Sequence, residues 1–157
     1  QPWKIFVISN PGLRAQLREA SYGQSQVTDA SHLLVMTVVK DPMVRINKTV
    51  ELIAATATQE SAQKYLNMVK GWIPSAPEAT FAWLSRQTYL ALQAMILAAI
   101  ERGIDSCPME GFNPGQYAEI LALQDVTPVA LLALGYAAQP GLPKVRVPLE
   151  DIVEERK

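Results

Sequence analysis

The chain has 157 residues, 49% of them hydrophobic and 18% charged, which are the proportions of an ordinary folded globular domain. Its net charge is −1, and its 14 lysines and arginines form no basic block of the kind that binds nucleic acid. One histidine and one cysteine exclude a metal-binding cluster, an intrachain disulfide and a recognisable nucleophile–base pair. With no secretory leader, the chain is expected to be cytoplasmic and to form a single domain over residues 1–157.

The first predicted elements are a short strand and a helix. Lys4–Ile8 is rich in β-branched and aromatic residues, and Trp3 before it is expected to anchor the strand in the core. Asn10 followed by Pro11 predicts a helix start, because asparagine caps the first turn and proline fits the first helical position. One face of this helix should be buried, with Leu13, Leu17 and Ala20.

A polar turn over Ser21–Gln26 follows, and after it the apolar run Leu33–Val39 predicts a buried strand. Gln24 and Gln26 therefore precede a central strand. Because an amide is both donor and acceptor, the two glutamines could bind a ligand edge that presents both kinds of group. A solvated turn is the commoner explanation, and the residues alone favour it. His32 has no partner at a recognisable spacing and is expected to be structural.

The middle of the chain predicts two helices that form a flap or a dimer-facing excursion. The first of them starts at Asp41-Pro42, again a cap followed by proline. Two further cap patterns, Ser or Thr followed three residues later by Glu or Gln, predict the starts of the next helices. They are Thr56 with Gln59, and Ser75 with Glu78.

A long apolar helix organises the second half of the chain. From Tyr89 to Ile100 every residue except Gln93 is apolar, so this helix is expected to be covered on all sides. Charged Arg86 and the Glu101-Arg102 pair close the run before it reaches the ~20 apolar residues of a membrane span. A domain this small gives such a helix little cover, so the chain is expected to be a homodimer.

A tight acidic turn follows that helix. Ile104–Cys107 predicts a short strand, which Pro108 would prevent from continuing as a central one. The turn itself is Pro108-Met109-Glu110-Gly111, and turns that merely close a strand are the commonest use of such a short pattern. Asn113-Pro114 then predicts a short helix, and Val126–Tyr136 a buried strand. The fold class is therefore α+β, with a central antiparallel sheet flanked by helices.

The tail, residues 140–157, is too polar to build a core and is expected to extend onto the partner subunit. Lys144 and Arg146 point the same way in an extended segment, because alternate residues share a face. Such a pair suits a phosphate. Two solvated surface cations are the commoner explanation by spacing alone.

Several stretches of the chain resemble, in order and in rough spacing, the FMN-dependent nitroreductase family. The similarity is greatest to its oxygen-insensitive NAD(P)H nitroreductase and dihydropteridine reductase branch. The stretches are Gln1–Trp3, Gln24–His32, Arg86–Leu92, Gly103–Phe112 and Leu142–Pro148. In the family pattern, a segment upstream of the first stretch carries arginine and serine residues for the ribityl-phosphate side of FMN, and this chain is expected to lack it.

The resemblance implies a homodimeric FMN enzyme that moves a hydride from NAD(P)H through flavin N5 to nitroaromatic compounds or quinones, with ping-pong kinetics. It implies that the flavin contacts Pro108, Met109, Glu110 and Gly111, with the Glu110 backbone amide near N5 and no catalytic side chain. Gln24 and Gln26 would meet the pyrimidine edge, and Lys144 and Arg146 the phosphate. The alternative is a relative with little or no flavin that acts as a dimeric binding or scaffold protein.

Overall fold

The computed structural model of the protein describes residues 1–139, 141 and 143–156. Within this part of the chain, four strands form one antiparallel sheet in the order β1-β2-β4-β3. The strands are β1 (Trp3–Ile8), β2 (His32–Val39), β3 (Asp105–Met109) and β4 (Val126–Gly135). The helices are α1 (Pro11–Glu19), α2 (Gln26–Asp29), α3 (Pro42–Thr56), α4 (Gln59–Trp72), α5 (Pro77–Glu101) and α6 (Pro114–Ile120). The predicted α+β fold with a central antiparallel sheet is confirmed.

Three helices start where an Asn-Pro or Asp-Pro pair predicts it. Asn10 Oδ1 accepts a hydrogen bond from the Leu13 backbone N–H at 3.0 Å. Asp41 caps α3 in the same way, and Asn113 caps α6. Each side chain satisfies one of the backbone donors that a helix start leaves without a partner, so these short local patterns are sufficient to define the starts.

The other two predicted caps are wrong. Thr56 is the last residue of α3, and Thr58 caps α4 by accepting from the Ser61 N–H at 3.1 Å. The start of α5 has no side-chain cap, because Ala76 precedes Pro77 at its first position. There the proline fits the first helical position, because its fixed φ suits a helix and its missing N–H would have had no partner inside the helix.

The sheet carries a separate core on each face. Leu33 and Val35 of β2 pack with Leu17 of α1 and Tyr117 of α6 on one face. The alternate residues Leu34 and Met36 pack on the other face, where α5 supplies Leu92. Because successive strand residues point to opposite faces, the continuous apolar run of β2 serves both cores.

The edge position of β3 allows it to include Pro108. The strand extends to Met109, beyond the predicted end at Cys107, and Pro108 pairs with Leu132 of β4. Proline removes a ladder donor, which is tolerated at an edge. The central strand β4 contains Pro128, and there the register with β2 shifts between Met36 and Thr37. That irregularity leaves Val129 outside the regular pairing.

The expectation that α5 is covered on all sides is wrong for the single chain. Leu92 and Ala99 are buried against the sheet, but Leu90, Leu97 and Ile100 are 67%, 52% and 62% exposed. At 3.6 residues per turn these three residues lie within about 80° of one another around the helix, and we call them the α5 apolar face. Within one subunit, α5 is therefore not buried on all sides as its sequence predicts.

No helix in the described part of the chain has the length and apolar character to cross a membrane. Residues 143–156 have no regular secondary structure apart from a 3₁₀ turn at Leu149–Asp151, and all of them are exposed. Pro140, Leu142 and Lys157, which belong to the predicted tail, lie outside the described residues.

Candidate functional site

Gln24 and the turn at the end of β3 are in direct contact. The side-chain Nε2 of Gln24 donates to the Gly111 carbonyl at 2.5 Å and to the Ser21 carbonyl at 3.0 Å. A Cβ at position 111 would lie 2.9 Å from that Nε2, closer than real Cβ contacts. Gly111 does not have a positive φ, so backbone conformation does not call for glycine there, and a side chain at this position would have to displace the Gln24 amide.

The turn presents backbone donors. The Phe112 N–H donates to the Glu110 carbonyl at 2.9 Å. By contrast, the N–H groups of Glu110 and Gly111 meet no acceptor within residues 1–139, 141 and 143–156. A backbone N–H almost always bonds to protein, to a ligand or to water. These two have no acceptor in the described protein, so they are available to an acceptor on a bound molecule.

Two arginines of α1 hold the loop that carries Gln24. Arg14 is only 6% exposed, and its Nε donates to the Val27 carbonyl at 2.7 Å. The same guanidinium also bonds the carbonyls of Ala30 and Ser31, at the C-terminal end of α2. A cation at that end satisfies carbonyls that the helix leaves unpaired. Arg18 adds a bond to the Gly23 carbonyl at 3.0 Å.

One side of the turn packs against α6. The hydroxyls of Ser21 and Tyr117 lie 2.7 Å apart, and the rings of Phe112 and Tyr117 have centroids separated by 4.8 Å. Burial raises the pKa of Tyr117, so its hydroxyl stays neutral beneath the turn. The Asn113 N–H also donates to the Ala20 carbonyl at 2.8 Å. The turn and the Gln24 loop are therefore one connected unit.

A cavity of about 450 Å³ opens beside the turn, between β3 and α5. Its lining residues are Tyr89, Leu92, Gln93, Ile96, Pro108, Met109, Glu110 and Ala130. The wall is mostly apolar with a few polar groups, which is the usual character of a small-molecule site, and the volume lies within the usual range. Glu110, whose N–H meets no acceptor among the described residues, lines this cavity, and Gly111 follows it in the turn.

Tyr89 and Glu110 contact each other in the polar part of the wall, which also includes Gln93. The Tyr89 hydroxyl lies 2.7 Å from Glu110 Oε1 and 3.1 Å from the Val129 carbonyl, at the irregular point of β4. Burial, the hydrogen bond to Glu110 and the negative charge of Glu110 together raise the pKa of Tyr89 to about 12. Tyr89 is therefore a permanent donor at physiological pH.

The structure brings five of the eight predicted site residues together, namely Gln24, Pro108, Met109, Glu110 and Gly111. Gln26 is exposed at the start of α2 and does not contact them. Lys144 and Arg146 lie on the exposed tail, and within the described residues Arg146 donates only to the neighbouring Val145 carbonyl, at 2.8 Å. Their predicted roles stay predictions.

Two residues of the site were not found from the sequence. Tyr89 was counted as one of the apolar residues of the long helix, although a tyrosine in such a run usually has a partner for its hydroxyl. Arg14 shares the buried face of α1 with Leu17. An arginine on a buried helix face usually has hydrogen-bond partners, and this was the signal that could have identified it.

Comparison with known proteins finds solved structures with the same fold and matches the chain to one protein family. The model of the nitroreductase family matches residues 1–136. The chain is 34% identical over 155 residues to an NADH dehydrogenase of Thermus thermophilus, which covers 98% of this chain and 75% of that protein. It is 33% identical over 168 residues to a Staphylococcus haemolyticus protein provisionally named an NAD(P)H nitroreductase, covering 98% and 77%.

A solved nitroreductase-like structure from Exiguobacterium sibiricum, crystallised in complex with FMN, superposes with a TM-score of 0.87 at 24% identity. The match covers 99% of this chain and 77% of that one, and at this identity it is evidence of the fold. The family match extends over most of the chain and includes the turn, the Gln24 loop and α5. The chain therefore belongs to the nitroreductase family.

Proposed function

We propose that the protein binds FMN with the isoalloxazine ring against the Pro108–Gly111 turn and acts as an NAD(P)H-dependent reductase of nitro compounds and quinones. The observation that carries the proposal is the pair of N–H groups on Glu110 and Gly111, which meet no acceptor in the described part of the chain and belong to the turn beside the cavity. Family membership supports it, as do the names of the relatives and the FMN in the Exiguobacterium structure.

Bound FMN supplies the redox chemistry, since it can take a hydride from NAD(P)H at N5 and give it to an acceptor. The protein supplies orientation. The Glu110 N–H is proposed to donate to N5 and the Gly111 N–H to the neighbouring carbonyl oxygen O4. These donors are fixed before the ligand binds, so they lose little freedom when it does.

Gln24 is proposed to read the pyrimidine edge of the ring. Its Nε2 already donates to two carbonyls, so Oε1 is the group left to accept from the ring N–H. Gln26, exposed nearby, is proposed to contact the same edge. Lys144 and Arg146 are proposed to bind the phosphate, where arginine offers a two-pronged contact and lysine a point charge.

Absorbance tests the proposal directly. The purified protein incubated with FMN and desalted should be yellow, and initial rates at several acceptor concentrations should give the parallel double-reciprocal lines of ping-pong kinetics. A protein that stays colourless after incubation supports the second candidate, a flavin-free dimeric binding protein. Intersecting lines with bound FMN would reject the ping-pong mechanism alone. A cytoplasmic location also stays a prediction.

We also propose that the protein is a homodimer, because the α5 apolar face needs cover. Leu90, Leu97 and Ile100 are large apolar residues exposed together on one helix, which monomeric proteins rarely tolerate over a wide area. The exposed tail is proposed to lie on the partner subunit.

Light scattering at micromolar concentration should give the mass of a dimer, and Leu90→Glu combined with Leu97→Glu should shift it toward a monomer. Val7→Glu is a matched control, since Val7 is similarly exposed, at 59%, but lies on the edge strand β1. A monodisperse wild-type monomer would contradict the proposal.

A further inference from the structure

Glu110 is a negative charge held in place at the cavity wall. Among the described residues that line the cavity, it is the only one that is charged at neutral pH. The ion pairs found in the described part of the chain are Lys48–Glu51, Lys64–Glu60 and Arg156–Glu154, none of which involves Glu110. Its charge is therefore not neutralised locally.

Tyr89 restricts where that charge can lie. The glutamate belongs to an exposed turn, where its side chain would otherwise sample several rotamers in water. The hydroxyl that binds it projects from the middle of α5, a rigid element packed on the sheet, and also lies 3.1 Å from the Val129 carbonyl. The carboxylate is consequently held at the cavity wall, in the same turn as the Glu110 and Gly111 N–H groups.

Charge matters at this position because reduction changes the charge of a flavin. Uptake of two electrons and one proton, the equivalent of a hydride, leaves the ring with one more negative charge. A fixed carboxylate close to the ring disfavours the more negative form, and the effect is strong where the ring excludes water. By thermodynamic linkage, weaker binding of the reduced form than of the oxidised form lowers the reduction potential.

We propose that the Glu110 carboxylate, positioned by Tyr89, lowers the midpoint potential of the bound flavin and so makes the reduced protein a stronger hydride donor to its acceptor. This inference rests on the proposed binding of FMN at the Pro108–Gly111 turn. The backbone amide of Glu110 would orient the ring, and the Glu110 side chain would set the reduction potential of the ring. The two roles are separable, because a glutamine at position 110 keeps the amide and the size of the side chain but removes the charge.

The test is the midpoint potential of FMN-loaded protein, measured by equilibration with a reference dye during slow reduction. Glu110→Gln should raise the potential by about 30 mV, which corresponds to a tenfold gain in the binding of reduced relative to oxidised FMN for a two-electron couple. The Kd of oxidised FMN should change less than about twofold. Glu101→Gln is the matched control, since Glu101 is an exposed acid at the far end of α5, about 18 Å along the helix from Tyr89, and should leave the potential unchanged.

Tyr89→Phe isolates the positioning role. It should raise the potential by less than Glu110→Gln does, because the carboxylate remains but can turn toward water. The double variant should match Glu110→Gln alone, because the hydroxyl then has no charge to position. Additive shifts in the double variant would overturn the role of Tyr89.

Equal or lower potentials in Glu110→Gln, with FMN bound, would overturn the inference and leave the proposed function intact. A wild-type protein that binds no FMN would overturn both.

Discussion

Replacement of Gly111 by valine is expected to reduce FMN occupancy more than any other single change at the turn. The valine Cβ would lie 2.9 Å from Gln24 Nε2, so the Gln24 amide must leave the Gly111 carbonyl. Loss of that bond costs ~1 kcal/mol, and the added methyl groups also project toward the space proposed for the ring. The combined effect on the FMN Kd should be at least about tenfold.

Titration of apo-protein with FMN, followed by quenching of flavin fluorescence, measures this change. Gly71→Val is the matched control, because a Cβ at Gly71 meets nothing within 4 Å and α4 is remote from the turn in sequence. The control should bind FMN like the wild type. Normal FMN affinity in a folded Gly111→Val protein would show that the ring does not approach this turn.

Replacement of Arg146 by alanine is expected to weaken FMN binding by ~1.5 to 3 kcal/mol, the range for a hydrogen bond to a charged group. The guanidinium is exposed and, in the described part of the chain, donates only to its neighbour Val145, so it can accept a phosphate as partner. Riboflavin lacks the phosphate, and its affinity should change far less.

Parallel titrations of FMN and riboflavin against wild type and variant distinguish a lost phosphate contact from a general loss of affinity for the flavin. Arg156→Ala is the control, because Arg156 is another exposed arginine of the tail, paired with Glu154 at 3.2 Å. Equal losses for the two ligands would show that Arg146 does not bind the phosphate.

Local patterns in the sequence were sufficient for most of the fold. The Asn-Pro and Asp-Pro pairs predict three helix starts because capping depends on a few adjacent residues. The apolar runs predict the strands, because a short apolar run bounded by turn residues is typical of a buried strand. The cap at Thr56 failed because Thr58, two residues later, competes for the same role and has the extended backbone of a cap.

The contacts of the site were less predictable. Gln24 and Gly111 are separated by 87 positions, and no spacing rule relates two residues that meet only after the sheet has formed. The same holds for Tyr89 and Glu110, which lie on a helix and on a turn at the edge of the sheet. The resemblance to a family identified the turn and the glutamine individually, but not the hydroxyl that positions the glutamate.

Pro108 also protects the sheet against association through its edge. An exposed edge strand presents unpaired backbone groups to which a strand of another molecule can add. Proline is tolerated in such a strand where its nitrogen faces away from the paired neighbour, so Pro108 removes a donor from the outer side of β3. The residue that begins the proposed flavin-binding turn thus also hinders aggregation of the newly folded chain before any cofactor has bound.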